Sequence, residues 1–457
     1  AYFNQNKNLI KIINMKIISK KTKLSGHITV PGSKSHTIRA LILASMAEGV
    51  SHIKNPLPSN DCLSTAKAMN LIGAKCEYPT DSEELMWTVE GAGKNLKMPD
   101  EGTIDVGNSG SLMYFLSPVL STLKGKVTFT GDESICSRPV GHLLDALNQL
   151  GGKAESANNN KPPFTVQGPI STDNVLKTDG KLSQYISGIM MATLRMNGTM
   201  KMELATPQET PYLTMTKIWM DQVTGEPSHV SISPDFKNVT VEGPAEYKGF
   251  DTTIPSDWEG VAFPLIAALI TDSEISIDNV DTGESQGDKA IVDVLKSVGA
   301  DIHYEGTSLI VRGGKKLSTK NLPDGKLVVD MASFPDAICA LAVIACFIDG
   351  VVELTDVEIC RKKETDRVVA MCSQLTKLGA KVEDAGESMF IYGSECKMHG
   401  GAVESYKDHR IVMSLACCGL GLEEGEEVEV ADAEWCSVTF PNFVEAMNGL
   451  NAKFVTK

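Results

Sequence analysis

Basic side chains stand at the beginning of several segments whose pattern predicts a helix. In PGSKSHTIRA, residues 31–40, Lys34 and Ser35 begin an apolar stretch, and Arg39 follows about one turn later. A cation at the amino end of a helix opposes the partial positive charge of that end, whereas an anion is favoured there. The placement of these cations therefore predicts that an anionic ligand binds beside them.

Three later segments combine basic groups with a predicted helix start in the same way. They are GDESICSRPVGHLLDAL with Arg138, RKKETDRVVAM with Lys363, Glu364 and Arg367, and ESYKDHRIVM with Asp408, His409 and Arg410. Arginine suits carboxylates and phosphates because its planar guanidinium binds them through two parallel hydrogen bonds. Taken alone, a charged run such as RKKETDR is usually a solvent-exposed helix face.

The composition excludes several classes of protein. The chain has 457 residues and a formal net charge of −15, which argues against a nucleic-acid-binding surface. No apolar run approaches the roughly 20 residues of a membrane span. The eleven cysteines include no C-x-x-C pair, which favours reduced thiols, and the eight histidines show no spacing suited to a metal site. We therefore expect a cytoplasmic monomer that acts on small molecules, without a metal and without nucleic-acid or membrane partners.

The first 14 residues, AYFNQNKNLIKIIN, differ in character from the rest of the chain. Their apolar stretch is too short for a signal peptide, and no small-residue cleavage site is present. We expect Met15 to be the natural start and residues 1–14 to be a non-native or disordered extension.

The elements that position the charged residues repeat six times along the chain. In each repeat an amphipathic helix ends in a turn, as in LIGAKCE or LGAKVE, and a strand follows. The turn residues lie 72 to 80 residues apart, at Gly73, Gly151, Gly225, Gly299, Gly379 and Asn451. Gly and Asn both tolerate a left-handed backbone, so a tight turn is predicted after each helix. Such a period indicates a repeated supersecondary unit.

A second helix in each repeat is apolar on nearly every face. These helices are predicted to begin 73 to 79 residues apart, at Ser35, Gly110, Ser183, Asp257, Asp336 and His409. A helix that is apolar all round is expected to be buried. A short alternating strand follows each one, for example KVTFTG or VVELTD. Six such units divide into two domains of three, and the hinge is expected near residues 244–251.

With these residues and spacings, the chain resembles the 5-enolpyruvylshikimate-3-phosphate (EPSP) synthase family of enolpyruvyl transferases. The motifs that carry the likeness are PGSKSxxxRAL, GNSGS, RPxGHLxDAL, SQY, PDAxxxxA, KETDR, DHRxxM and TFPxF, in this order. The likeness implies an α/β fold of two domains, each with three repeats of a roughly 75-residue unit with buried helices. It places a three-repeat domain on the acceptor-binding side at residues 35–248. A discontinuous second domain is expected at 15–34 plus 249–457, with the substrate cleft between the two.

The resemblance also implies a reaction. The family transfers the enolpyruvyl group of phosphoenolpyruvate to the 5-hydroxyl of shikimate 3-phosphate and releases phosphate, by addition and elimination through a tetrahedral ketal. This step of the shikimate pathway, which leads to chorismate and the aromatic amino acids, uses no metal and no organic cofactor. The two substrates together carry roughly five negative charges at neutral pH, which the basic residues quoted above would balance.

Position by position, the resemblance assigns roles to residues at the helix starts. The residues expected to bind shikimate 3-phosphate are Lys34, Ser35, Arg39, Ser183, Gln184, Tyr212, Asp336 and Lys363. Those expected to bind phosphoenolpyruvate are Lys34, Asn108, Gly110, Arg138, Gln184, Arg367 and Arg410. The expected catalytic residues are Lys34, Asp336, Glu364 and His409, with Asp336 as the base and His409 as an orienting group.

The chain departs from the family pattern at Tyr114, Leu182, Glu209, Ile359 and Val438. Leu182 replaces the first Ser of a Ser-Ser-Gln sequence, and Glu209 stands where a phosphate-binding Ser is usual. Because a carboxylate repels a neighbouring phosphate, two alternatives stay open. The chain could act on a different cyclic alcohol, or it could be a non-catalytic ligand-binding homologue. The UDP-N-acetylglucosamine enolpyruvyl transferases fit poorly, because the Gly-rich pattern expected around Cys136 is missing.

Overall fold

The computed structural model describes residues 14–80, 85–225, 229–281, 283 and 286–457. Within this part of the chain there are two compact units. Unit 1 holds the described residues of 1–31, 256–284 and 288–457, and unit 2 holds those of 32–255 and 285–287. Each unit has its own hydrophobic core. Residues 1–13 of the predicted extension lie outside the described residues, whereas the Asn14 amide donates a hydrogen bond to Glu434 at 3.4 Å.

The described strands, numbered in chain order, form three four-stranded sheets in each unit. Those of unit 2 are β3 (Glu48–Lys54), β4 (Lys75–Glu77), β5 (Met86–Ala92), β6 (Thr103–Asp105), β7 (Gly125–Thr130), β8 (Lys153–Asn158), β9 (Lys161–Gly168), β10 (Val175–Thr178), β11 (Gly198–Leu204), β12 (Val230–Ile232), β13 (Asn238–Gly243) and β14 (Asp251–Thr253). Their orders are β14-β3-β5-β4, β6-β7-β9-β8 and β10-β11-β13-β12.

The strands of unit 1 form sheets of the same design. They are β1 (Ile17–Lys20), β2 (Ser25–Thr29), β15 (Glu274–Asp278), β16 (Asp301–Glu305), β17 (Ser308–Arg312), β18 (Lys326–Asp330), β19 (Val351–Thr355), β20 (Val382–Asp384), β21 (Ser388–Tyr392), β22 (Gly401–Val403), β23 (Glu427–Val430) and β24 (Val455–Thr456). Their orders are β2-β15-β17-β16, β18-β19-β21-β20 and β22-β23-β1-β24. In all six sheets the first pair is parallel and the other pairs are antiparallel.

Two kinds of helix pack against these sheets. The apolar helices are α1 (Lys34–Met46), α3 (Gly110–Leu120), α6 (Ser183–Thr193), α8 (Trp258–Leu269), α10 (Ile338–Ala345) and α12 (His409–Cys418). The others are α2 (Asn60–Leu71), α4 (Glu133–Ser137), α5 (Gly141–Gln149), α7 (Thr210–Thr224), α9 (Ile291–Ser297), α11 (Arg367–Lys377) and α13 (Phe443–Gly449). Every residue of α8, α10 and α12 is buried, so the prediction of buried helices is confirmed. No helix in the described part of the chain is long and apolar enough to cross a membrane.

The predicted helix starts agree closely with the structure. Helices α3, α6 and α12 begin at the predicted residues, and α1 begins one residue earlier than predicted, at Lys34. Asp257 is the N-cap of α8, and Asp336 lies in a 3-10 turn, Pro335–Ala337, just before α10. The six predicted turn residues, from Gly73 to Asn451, all have left-handed φ angles, between 70° and 106°.

Apart from the short segment 285–287, the chain crosses between the units at 31/32 and 255/256, not at 34/35 and 248/249 as predicted. Strand β14, which follows residue 249, pairs in parallel with β3 and therefore belongs to unit 2. Likewise β2 pairs with β15 in unit 1, although α1, the helix that follows β2, belongs to unit 2. Each crossing thus separates a strand from the next helix along the chain. The Ser33 amide donates to the Pro255 carbonyl in unit 2 at 2.8 Å, which holds α1 to the end of that unit.

A glycine recurs where the third strand of each sheet, in the orders given above, meets the carboxyl end of an apolar helix. In five repeats an added Cβ would overlap helix-end carbonyl oxygens, at Gly91, Gly168, Gly243, Gly313 and Gly393. In the sixth repeat the glycine is on the helix side, where a Cβ on Gly419 would overlap Ser19 of β1. This close approach of strand to helix was not predicted from the sequence.

The close approach predicts that Gly313→Ala destabilises unit 1. The new Cβ would overlap the carbonyl oxygens of Ala268 and Thr271, and overpacking of this kind lowers the free energy of unfolding by about 1–3 kcal/mol. Gly449→Ala, at a helical position where nothing lies within 4 Å of an added Cβ, is the matched control and should not destabilise the protein. Urea unfolding measures both variants, and equal free energies for Gly313→Ala and wild type would contradict the prediction.

Candidate active site

The start of α1 holds the first set of predicted site residues in unit 2. The Lys34 side chain is 13% exposed, and its Nζ lies 3.4 Å from Oδ2 of Asp61, a buried residue of α2. Ser33 precedes Lys34 as the N-cap but makes no side-chain capping bond. The backbone at Gly32 passes close to the Asn55 carbonyl oxygen, and a Cβ at this position would overlap that oxygen. A carboxylate on the neighbouring helix therefore holds Lys34 at the helix start.

Arg39 lies in the second turn of α1 and is buried. Its Nε donates to the Thr216 hydroxyl at 2.9 Å. Nη1 donates to the Ser35 carbonyl and Nη2 to the Tyr212 carbonyl, at 3.1 and 3.3 Å. The guanidinium carbon lies 4.7 Å from the centre of the Phe115 ring, within cation–π range. Arg39 thus links α1 to α3 and α7, and its direct contact with a phosphate stays a prediction.

Arg138 approaches the start of α3. Its Nη2 donates to Oδ1 of Asn108 at 3.5 Å and to the Ser134 hydroxyl at 3.3 Å, and both acceptors are neutral. An added Cβ at Gly110 would lie 2.9 Å from Nη1, so the glycine lets the guanidinium approach the helix start. The buried Arg138 Nε has no hydrogen-bond partner among the described residues. This cation is therefore positioned without a carboxylate among its hydrogen-bond acceptors.

The start of α6 lies beside those of α3 and α7. Gln184 donates through Nε2 to the Ser111 hydroxyl of α3 at 3.0 Å. The amide and hydroxyl of Ser183 both donate to Oε2 of Glu209, at 3.1 and 3.0 Å. Tyr212, on the first turn of α7, is buried. The structure therefore brings Gln184 beside the start of α3, and Ser183 beside Glu209 at the start of α7.

In unit 1, one buried guanidinium joins three carboxylates. The Arg367 side chain has no exposed surface, and its Nη1 donates to Oδ1 of Asp336 at 2.5 Å. Nη2 donates to Oε2 of Glu364 at 2.7 Å, and Nε donates to Oδ2 of Asp408 at 2.8 Å. Lys363 approaches the other oxygen of Asp336, with Nζ at 3.3 Å. Asp336, Lys363 and Glu364 retain 12% to 17% side-chain exposure, so this network reaches the surface through them.

Arg410, on α12, is also held by carboxylates. Its Nη2 donates to Glu259, a buried residue in the first turn of α8. Its Nε lies 3.1 Å from Oδ1 of Asp336, at ion-pair distance but not aligned as a hydrogen bond. The predicted orienting residue His409 is buried as well, and its Nδ1 lies 4.0 Å from Oδ1 of Asp408. Asp408 caps α12 by accepting a hydrogen bond from the Arg410 amide at 2.9 Å.

These charges control the ionisation of Asp336. Burial raises the pKa of Asp336, but Lys363 and Arg367 outweigh burial and lower it to about 2. Burial in turn lowers the pKa of Arg367, but Asp408, Glu364 and Asp336 raise it well above its usual value. Asp336 is therefore a carboxylate at neutral pH, as a proton acceptor must be.

Three of the residues that hold the predicted site together were not assigned a role from the sequence. Asp61 pairs with Lys34, Glu259 pairs with Arg410, and Asp408 pairs with Arg367. Asp408 could have been found, because it precedes His409 at a predicted helix start and Asp is a favoured N-cap residue. Nothing in the sequence links Asp61 or Glu259 to its cation, because each pair is formed by different helices.

The depressed pKa of Asp336 predicts a stability that depends on acid pH. The folded-state value of about 2 lies below that of an unfolded Asp, about 3.9. The stabilisation is therefore present above about pH 4 and is lost as the pH falls through 2. Wild-type protein and Asp336→Asn should both lose free energy of unfolding as the pH falls from 5 to 2. In urea unfolding, the decrease should be about 2 kcal/mol smaller for Asp336→Asn than for wild type, because the variant has no carboxylate to protonate at this position. Parallel curves for the two proteins would contradict this assignment.

Comparison with known proteins gives a consistent result. A family model described as EPSP synthase (3-phosphoshikimate 1-carboxyvinyltransferase) matches residues 18–447. A 3-phosphoshikimate 1-carboxyvinyltransferase of Ruminiclostridium cellulolyticum is 38% identical over 435 residues, which cover 95% of this chain and 98% of the relative. A protein of the same name from Methanococcus aeolicus is 34% identical over 447 residues, which cover 97% and 100% of the two chains.

Solved structures resemble the chain over its length. An EPSP synthase structure from Acinetobacter baumannii has a TM-score of 0.81 and 25% identity, and the match covers 97% of this chain and 100% of that one. The enolpyruvyl transferase NikO from Streptomyces tendae shares the fold, with a TM-score of 0.77, 15% identity, and coverage of 97% and 99%. From the family match and the curated relatives together, the chain belongs to the EPSP synthase family of enolpyruvyl transferases.

Proposed function

We propose that the chain transfers the enolpyruvyl group of phosphoenolpyruvate to the 5-hydroxyl of shikimate 3-phosphate and releases phosphate. The observation that carries this proposal is the 38% identity to a 3-phosphoshikimate 1-carboxyvinyltransferase along nearly the full length of both chains. The residues assigned to this chemistry from the sequence are present at the helix starts of both units, and both units would contribute to one reaction.

The charge pairs suggest how two anionic substrates are received. Lys34, Lys363, Arg367 and Arg410 each lie within 4.0 Å of a carboxylate of their own unit. A substrate oxygen that binds one of them must share it with that carboxylate or replace it. Arg138 differs, because its hydrogen-bond acceptors are neutral and its buried Nε has no partner among the described residues. We therefore assign Arg138, beside Asn108 and Gly110, as the primary anion-binding group for phosphoenolpyruvate.

The addition step requires a base and an acid. We propose that the Asp336 carboxylate accepts the proton of the 5-hydroxyl as its oxygen bonds to C2 of phosphoenolpyruvate. In the same step the C2=C3 double bond becomes a single bond, and its electron pair takes a proton onto C3 from an acid, for which Glu364 and Lys34 are the candidates. In the elimination step C3 returns a proton, the bond from C2 to the phosphate oxygen breaks, and phosphate leaves. Ion pairs to Arg367 and Lys363 orient Asp336 and keep it ionised.

We also infer the cellular setting from the thiols. All eleven cysteines are free thiols, and eight of them are buried. Free thiols are typical of a reducing compartment, which supports a cytoplasmic location. We retain the prediction of a monomer.

The proposal predicts that phosphate release from phosphoenolpyruvate depends on shikimate 3-phosphate. Wild-type protein should release phosphate only when both compounds are present. Asp336→Ala should lower kcat by about 10²–10⁴-fold, because it removes the proposed base. A phosphate-detection assay measures both.

Asp293→Ala, the same substitution at an exposed position of α9, is the matched control and should keep wild-type turnover. If wild-type protein releases no phosphate with shikimate 3-phosphate, the proposed acceptor is wrong. If Asp336→Ala turns over as fast as the control, the assignment of the base is wrong.

A further inference from the structure

The start of α6 is occupied by a carboxylate from a neighbouring helix. Glu209 is 2% exposed, and its Oε2 accepts hydrogen bonds from the amide and the hydroxyl of Ser183, at 3.1 and 3.0 Å. The first amide of a helix and a hydroxyl beside it are donors that suit a phosphate oxygen. Here a side chain of the protein itself accepts from both.

The departures from the family pattern at 182 and 209 both lie at the start of α6. Leu182 is the N-cap of α6 and offers no side-chain oxygen. At the corresponding position of α3, the Ser109 hydroxyl accepts from the Leu112 amide at 3.2 Å. Glu209, at the N-cap of α7, accepts instead from the first amide of α6, that of Ser183, whereas Ser109 accepts from the third amide of α3. The two substitutions therefore act at one place.

The backbone of Glu209 has an unusual conformation. Glu209 has a left-handed φ of 51° and makes no side-chain capping bond to its own helix. In the first repeat, Ser59 occupies the equivalent N-cap of α2, has a φ of −83° and accepts a hydrogen bond from Cys62 within its own helix. A left-handed conformation is unfavourable for a residue with a Cβ. Glu209 thus combines a left-handed backbone with a side chain that accepts hydrogen bonds from α6 instead of from its own helix.

We infer that Glu209 determines how the site receives the phosphate of the acceptor, an inference that rests on the proposed function. Ser183 is assigned to the phosphate side of shikimate 3-phosphate, and the Glu209 carboxylate holds both of its donors. The phosphate of the acceptor must displace this carboxylate or bind beside it, against the repulsion of like charges. Glu209 therefore weakens binding of a phosphorylated acceptor and has little effect on the same ring without its phosphate.

Calorimetric titration of the full chain with shikimate 3-phosphate and with shikimate tests this inference. Glu209→Gln keeps an oxygen for Ser183 but removes the charge, and Glu209→Ser introduces the residue usual in the family. In each variant the Kd for shikimate 3-phosphate should fall about tenfold relative to wild type. The Kd for shikimate should stay within about twofold.

Asp221→Asn is the matched control, because Asp221 is an acid on α7 that pairs with Lys217 instead of reaching α6. It should leave both Kd values at their wild-type levels. An unchanged or higher Kd for shikimate 3-phosphate in Glu209→Gln would overturn the inference and leave Glu209 as a helix cap only. An equal fall in both Kd values would overturn it too, because the effect would then not concern the phosphate.

The outcome is separate from that of the proposed function. Turnover of wild-type protein with shikimate 3-phosphate tests the proposed function, whereas the ratio of the two Kd values tests Glu209. If wild-type protein fails to turn over and Glu209→Gln still tightens only shikimate 3-phosphate, the proposed function fails and the inference about Glu209 stands.

Discussion

The burial of Arg367 is the constraint on which the candidate site in unit 1 depends. A guanidinium without exposed surface is tolerated only if acceptors satisfy its donors, and around Arg367 these acceptors are anionic. The acceptors are Asp336, Glu364 and Asp408, and two of the three lie far along the chain from Arg367. Because all three must meet at one group, the segments PDA, KETDR and DHR have fixed positions relative to each other. The ionisation of Asp336 is a consequence of that arrangement.

Unit 2 meets the same requirement with different groups. Lys34 is held by Asp61, and the Arg39 guanidinium by hydroxyl and carbonyl oxygens. Arg138 lies between neutral acceptors, and Glu209 brings a negative charge to a helix start that has no cap of its own. The two units thus share a repeated framework but differ in how much charge remains available to a ligand. In both units, several polar groups of the site lie at the starts of apolar helices, as Lys34, Ser183 and Arg410 do.

Much of the fold could be predicted from the sequence because its repeat leaves local signals. Gly73 and its five counterparts mark turns that need a left-handed backbone, and the apolar helices are recognisable from composition alone. The crossings between the units were misplaced, because the pairing of β14 with β3 joins residues about 200 apart and has no local signature. In the site, the cations could be predicted from their unfavourable position at helix starts. The partners Asp61 and Glu259 could not, because each meets its cation only through tertiary packing.

The positions of the two crossings, at 31/32 and 255/256, also affect the order in which the two units can fold during synthesis. The strands of unit 2 all lie between the crossings, so its three sheets can close once β14 has been made. In unit 1, β1 pairs with β23 and β24, and the last of its sheets stays open until the end of the chain is available. Closing such a long loop is slow and leaves apolar surface exposed meanwhile. The early strands β1 and β2 must therefore wait, unpaired, while a complete unit folds between them and their partners.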